Sequence, residues 1–140
     1  TRKLPRHDGA AFRAVTERIE ADLARFDGDE RVRAIHQTVE TGLALLHDAS
    51  NQLMASLAEA PRDALAGATP YLQLAGRVYI GWMWLRAAGD AGEDPIGDEY
   101  RVLARFYAEQ IMADSHALLA RALTGAEAID ALSAEQIARV

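Results

Sequence analysis

A chain of 140 residues has room for one domain and can bury roughly 70% of its unfolded surface, so a core can form without staples. It contains no cysteine, which excludes a disulfide scaffold and any thiolate metal site. The net charge of −6, from 15 basic and 21 acidic residues, is opposite to that of a general nucleic-acid-binding surface. One basic cluster, Arg2, Lys3 and Arg6 with Arg13 just beyond, reads as a solvated tail. No apolar run approaches the roughly 20 residues needed to span a membrane. No signal-peptide pattern is present either, so a cytoplasmic location without membrane contact is expected.

The sequence predicts one helical domain over 1–140: a linker-like segment at 1–8, a helical bundle at 9–125 and a tail with a short helix at 126–140. No strand alternation of useful length occurs. Pro5, Pro61, Pro70 and Pro95 divide the chain into segments with helical period. Asp8 is a good N-cap for a first helix, whose stripe is Phe12, Val15, Ile19, Leu23 and Phe26. Asp27-Gly28-Asp29 ends it. Asp29 caps a second helix that carries Val32, Ile35, Val39, Leu43, Leu46, Leu53 and Leu57 to about Ala60, a length of about 45 Å. Gly42, beside that stripe, implies close helix packing.

Pro61 stops the second helix, and a short turn is expected around Ala64-Leu65-Ala66. Thr69-Pro70 is a helix start, with a capping hydroxyl followed by proline at the first helical position. The third helix is predicted from Pro70 to about Ala88, with Gly89 as its stop. It is apolar nearly all round, which implies burial in its own domain or under a neighbour. Gly76 and Gly81 offer flat spots to another backbone. After the acidic loop 90–98, a fourth helix is predicted from Asp98 to Leu123. Its inner stripe is Tyr100, Leu103, Tyr107, Ile111, Leu118 and Ala122, with Arg101, Arg105 and Glu109 on a more exposed side. Ser133-Ala134-Glu135-Gln136 resembles a capping box for a short last helix. Four helices with short connections imply an all-α, four-helix-bundle-like fold with mostly antiparallel neighbours.

No catalytic, cofactor-binding or metal-binding residue emerges. A di-iron bundle site needs Glu-x-x-His pairs, and no glutamate here precedes a histidine by three. His36 and His47 share a helical face but lie about 16 Å apart along it. The acidic run Asp90, Glu93, Asp94, Asp98 and Glu99 lacks the glycine of an EF-hand loop, because Pro95 stands in its place. Asp98 and Glu99 are expected instead to favour the positive end of the fourth helix. Neither a glycine-rich phosphate loop nor a G-x-S-x-G elbow occurs. Ser50 and Ser115 lie near His47 and His116, but no third orienting group accompanies either pair.

The segment PRDALAGATPYLQLAGRVYIGWMW at 61–84, with ARFYAE at 104–109, resembles the accessory domain at the C-terminal end of a subset of bacterial acyl-CoA dehydrogenases. Thr1-Arg2-Lys3-Leu4 is similar to the link that joins the dehydrogenase body to this domain. In that family the body binds FAD and removes hydrogens from the α and β carbons of an acyl-CoA thioester, with a glutamate as base and the flavin as hydride acceptor. All of those elements lie upstream of the region this chain resembles, so no catalytic or flavin-binding residue is carried to any position here. The resemblance implies a non-catalytic helical domain that packs on upstream dehydrogenase domains or at a subunit interface of a homo-oligomer. The alternative is a free-standing interaction or dimerisation module. Gln73, Arg77, Ile80 and Trp84 fall on one face of the third helix and form a candidate interface. Tyr71, Ala75, Val78, Trp82 and Leu85 form the stripe suited to the bundle's own core.

Overall fold

The computed structural model describes residues 9–139. The expected Asp8 cap and the linker-like segment 1–8 lie outside them. The chain folds as α1 (Ala10–Arg25), a 3-10 turn (Glu30–Val32), α2 (Arg33–Glu59), α3 (Pro61–Ala66), α4 (Ala68–Asp90), α5 (Pro95–Phe106), a π-turn (Tyr107–Ile111), α6 (Ser115–Ala122), α7 (Glu127–Asp130) and α8 (Ala134–Ile137). The described residues contain no strand, so the fold is all-α.

Cross-helix pairings fix the topology. Gly42 faces Val78 while Gly81 faces Val39, so α2 and α4 run antiparallel. The Leu23 carbonyl accepts from His36, and Glu20 approaches His47, which sets α1 antiparallel to α2. Trp84 meets Tyr100, and Arg77 bonds the Ile111 carbonyl, so α5 runs antiparallel to α4. Four helical runs therefore alternate up and down.

α2 and α4 form the centre. Ile35, Val39, Leu43, Leu46 and Leu53 of α2 are buried against Tyr71, Leu74, Val78, Trp82 and Leu85 of α4. Gly42 and Gly81 face each other's helices, and the slot they leave is filled by Met112. A Cβ on Gly42 would sit 2.9 Å from Val78 and 3.1 Å from Met112, and one on Gly81 would sit 2.6 Å from the Met112 sulfur. Methionine suits such a gap because its unbranched thioether adapts to irregular space. In α1 the inner stripe is Phe12, Thr16, Ile19, Leu23 and Phe26. Val15 is exposed, and Thr16 takes its place with its hydroxyl donated to the Arg13 carbonyl at 3.0 Å.

Three predicted boundaries differ. α4 starts at Ala68, so Thr69 lies inside it and caps nothing. Pro70 is tolerated there because first-turn amides have no intrahelical acceptor. Gly89 does not stop α4; it stays helical and seats the Phe26 ring, which a side chain would displace. The next helix begins at Pro95 instead of Asp98, because Asp94 caps it by accepting from the Gly97 amide at 2.7 Å.

The predicted fourth helix is not continuous. The Met112 amide bonds the Tyr107 carbonyl at 3.1 Å, five residues back, and the chain turns at 112–114 before α6. One extra residue in a turn shifts helical phase, so the expected stripe divides. Leu118 and Ala122 point inward as predicted, but Tyr100, Leu103 and Ile111 are exposed. The inner residues of α5 are Gly97 and Ala104, followed by Ala108 and Met112. At the end of the chain, Ser133 and Gln136 form the capping box foreseen for α8. Asp63 of α3 accepts from the Ala126 amide at 2.8 Å and holds the start of the tail.

Candidate functional site

Small inner residues bring the α5 backbone close to α2 and α4, which leaves its large apolar residues outward. Ile96, Val102, Leu103 and Phe106 are 64%, 67%, 48% and 57% exposed. An amphipathic helix ordinarily turns its large apolar residues to the core. Here that preference is inverted, which makes this face the candidate contact surface.

The candidate residues of α4 border it. Gln73 and Ile80 are exposed. Trp84 is half-buried, with its ring 6.5 Å from that of Tyr100. Arg77 is held within the chain: it donates to the Ile111 carbonyl at 3.0 Å, pairs with Asp114, and its own carbonyl accepts from the Tyr107 hydroxyl at 3.2 Å. Trp82 points the other way, donating its indole N–H to Asp22 of α1 at 2.6 Å. Arg101 departs from its expected exposed position. It is 12% exposed and donates to the Ala91 and Gly92 carbonyls, clamping the loop between α4 and α5.

Polar groups elsewhere serve the fold. A cleft between the start of α2 and α5 is lined by Arg31, Arg33, Arg101 and Arg105. Asp29 and Glu93 oppose Arg31, Glu30 opposes Arg33, Asp98 opposes Arg101 and Glu109 opposes Arg105. The Arg31 side-chain hydrogen bond holds the Asp29 carboxyl below its ordinary value of 3.8, and Asp29 and Glu93 together raise the Arg31 guanidinium. The cations of this cleft are thus opposed by carboxylates of the same chain. The carboxylates of the acidic loop are likewise used: Asp90 pairs with Arg25, Glu93 with Arg31, and Asp94 caps α5.

His36 and His47 line a groove between α1 and α2, but His36 bonds the Leu23 carbonyl at 2.8 Å and His47 lies edge-on to Phe12. Among the described residues, no three histidine, aspartate or glutamate side chains converge as metal ligands. The Ser50 hydroxyl donates to the Leu46 carbonyl at 2.7 Å and meets the Tyr71 hydroxyl at 2.9 Å. Burial raises the Tyr71 phenol above its ordinary value. The Ser115 hydroxyl donates to the Met112 carbonyl at 2.7 Å. No helix is long and apolar enough to cross a membrane among the described residues.

The inverted face of α5 is the feature that residue-by-residue reading missed. Its signal was the alternative stripe Gly97, Ala104 and Ala108, whose small side chains permit close approach. No curated protein matches the chain. The profile of a protein family does: it runs over residues 14–133, from the first turns of α1 to the residue before α8. By that match the chain belongs to the family described as acetyl-CoA dehydrogenase C-terminal like.

Proposed function

We propose that this chain is the helical C-terminal domain of an FAD-dependent acyl-CoA dehydrogenase and attaches to the upstream dehydrogenase domains through the outward face of α5. Flavin binding and acyl-CoA oxidation belong, on this reading, to those upstream domains. The observation that carries it is the inversion of α5. Leu103 and Phe106 turn to solvent while glycine and alanine turn to the core, an arrangement that covers the large residues only when another surface is docked. Aromatic anchors ringed by polar groups are the usual centres of such contacts, and Glu99, Arg105 and Glu109 flank Phe106. The family match supports the association with dehydrogenase domains.

The test is calorimetric titration of the 140-residue chain into a separately produced dehydrogenase body. The double substitution Leu103→Asp and Phe106→Asp should weaken binding at least about tenfold while leaving the helical circular dichroism of the chain intact. Undiminished affinity in that variant would overturn the reading.

A further inference from the structure

α4 is apolar on both sides, and the described residues fill only one of them. Its outer face carries Leu72, Tyr79 and Ile80, which are 61%, 47% and 48% exposed, together with Gln73, Gly76 and the half-buried Met83. Gly76 is the anomaly. A Cβ placed on it would meet nothing within 4 Å, whereas the buried Gly42 and Gly81 are each filled by neighbouring side chains. A glycine inside a helix lowers its stability relative to alanine, and no contact among the described residues explains that cost. A second helix crossing at Gly76 does, because the missing side chain lets two backbones approach closely.

We propose that the crossing helix is the α4 of a second copy of this chain. Three observations select that occupant. First, the face is matched about Gly76. Leu72 and Ile80 lie four residues to either side, and Gln73 and Tyr79 three to either side. A two-fold axis through Gly76 sets Leu72 of one copy against Ile80 of the other, twice, and the Gln73 amide beside the Tyr79 hydroxyl. Such self-matching is what an isologous contact requires. Second, the face is neutral. A chain of net charge −6 repels its own copy over most of its surface, but here Arg77 is turned aside to Asp114 and Arg86 to Asp22. Third, three turns of helix with these side chains offer roughly 500 Å² per copy, hence roughly 1,000 Å² in the pair, near the lower bound of a specific interface. The pair is therefore weak, with a Kd in the micromolar range. It uses a different helix from the docking face of α5 and does not depend on it.

Sedimentation equilibrium of the 140-residue chain from about 1 to 500 μM reads the association directly. A monomer–dimer equilibrium is expected, weakened at least about tenfold by Ile80→Asp and by Gly76→Gln. Gly76→Ala separates the crossing from a fold defect, because its two effects have opposite sign. At dilute, monomeric concentration it should raise Tm by about 3 °C through helix propensity, yet it should weaken the dimer. Leu103→Asp with Phe106→Asp should leave the dimer unchanged. A chain that stays monomeric over the whole range overturns the proposal. So does a dimer indifferent to the Gly76 and Ile80 substitutions, or one abolished by the α5 pair instead.

Discussion

α2 and α5 are both amphipathic, but they resolve that character in opposite directions. α2 turns Ile35, Val39, Leu43 and Leu46 to the core. α5 turns Gly97 and Ala104 to the core and leaves Leu103 and Phe106 outside. The contrast teaches that the larger apolar residues of a helix do not always mark its inner side. Where small residues allow a backbone to come close to two neighbours at once, close packing of the main chain competes with burial of large side chains. The excluded side chains are then available to a partner.

The comparison can be broken at four places. The largest effect is expected on α2, where Ile35→Ala removes a side chain that is almost wholly enclosed and should cost about 2–5 kcal/mol in urea unfolding. Next is Ala104→Leu, which puts bulk on the inner side of α5 and should cost about 1–3 kcal/mol by overpacking. A neutral or stabilising result there would mean that α5 has room to rotate and that its inversion is not enforced by packing. A smaller effect belongs to Asp29, which caps the turn leading into α2, while its partner Arg31 reaches Glu93 in the loop before α5. Asparagine caps as well as aspartate, so Asp29→Asn removes only the charge on the partly exposed pair with Arg31 and should cost no more than about 1 kcal/mol at neutral pH. The folded-state carboxyl lies below its ordinary range, so its contribution is present at and above that range and is lost as pH falls through the folded value. The gap between the two proteins should therefore close in strong acid. A gap that persists at low pH would assign the cost to something other than the charge. The smallest effect is expected for Leu103→Ala, which should change the stability of the chain by no more than about 0.5 kcal/mol. A loss of several kcal/mol would show that the α5 face is core after all.

Much of the fold was legible because one period dominates each helix. The α2 stripe from Val32 through Leu53 is buried as its three- and four-residue steps implied. The separation of Trp82 and Trp84 also followed from helical geometry, and the two indoles do diverge, one toward α1 and the other toward α5. The boundaries were harder. Thr69-Pro70 and Gly89 are strong local signals, yet α4 already starts at Ala68 with Gly67 as its N-cap, and the Phe26 ring needs Gly89 within the helix at the other end. Local capping preferences amount to about 1 kcal/mol each, and tertiary contacts outweigh them. The stripe from Tyr100 to Ala122 failed in one half only, because a phase shift at 107–111 leaves no mark in hydrophobic periodicity. Gln73, Arg77, Ile80 and Trp84 were read as one outward side of α4; Gln73 and Ile80 are exposed, but Arg77 and Trp84 are engaged within the chain, and the open notch at Gly76 has no mark in the sequence, where Gly76 and Gly81 look alike.

The π-turn at Tyr107–Ile111 makes the α5–α6 run behave like a shaft with a coupling in it. A single inserted residue is the coupling, and it sets the angle at which the two halves are joined. Loss of one residue there would turn α5 by about 100° relative to α6. Leu118 and Ala122 would keep their seats, and the upstream half would swing its large side chains toward α4 and away from solvent. The length of a five-residue segment, more than the identity of any residue on the surface it governs, thus determines which side of α5 faces solvent. Insertions and deletions in this segment would expose or bury the large side chains of α5 without altering any of them.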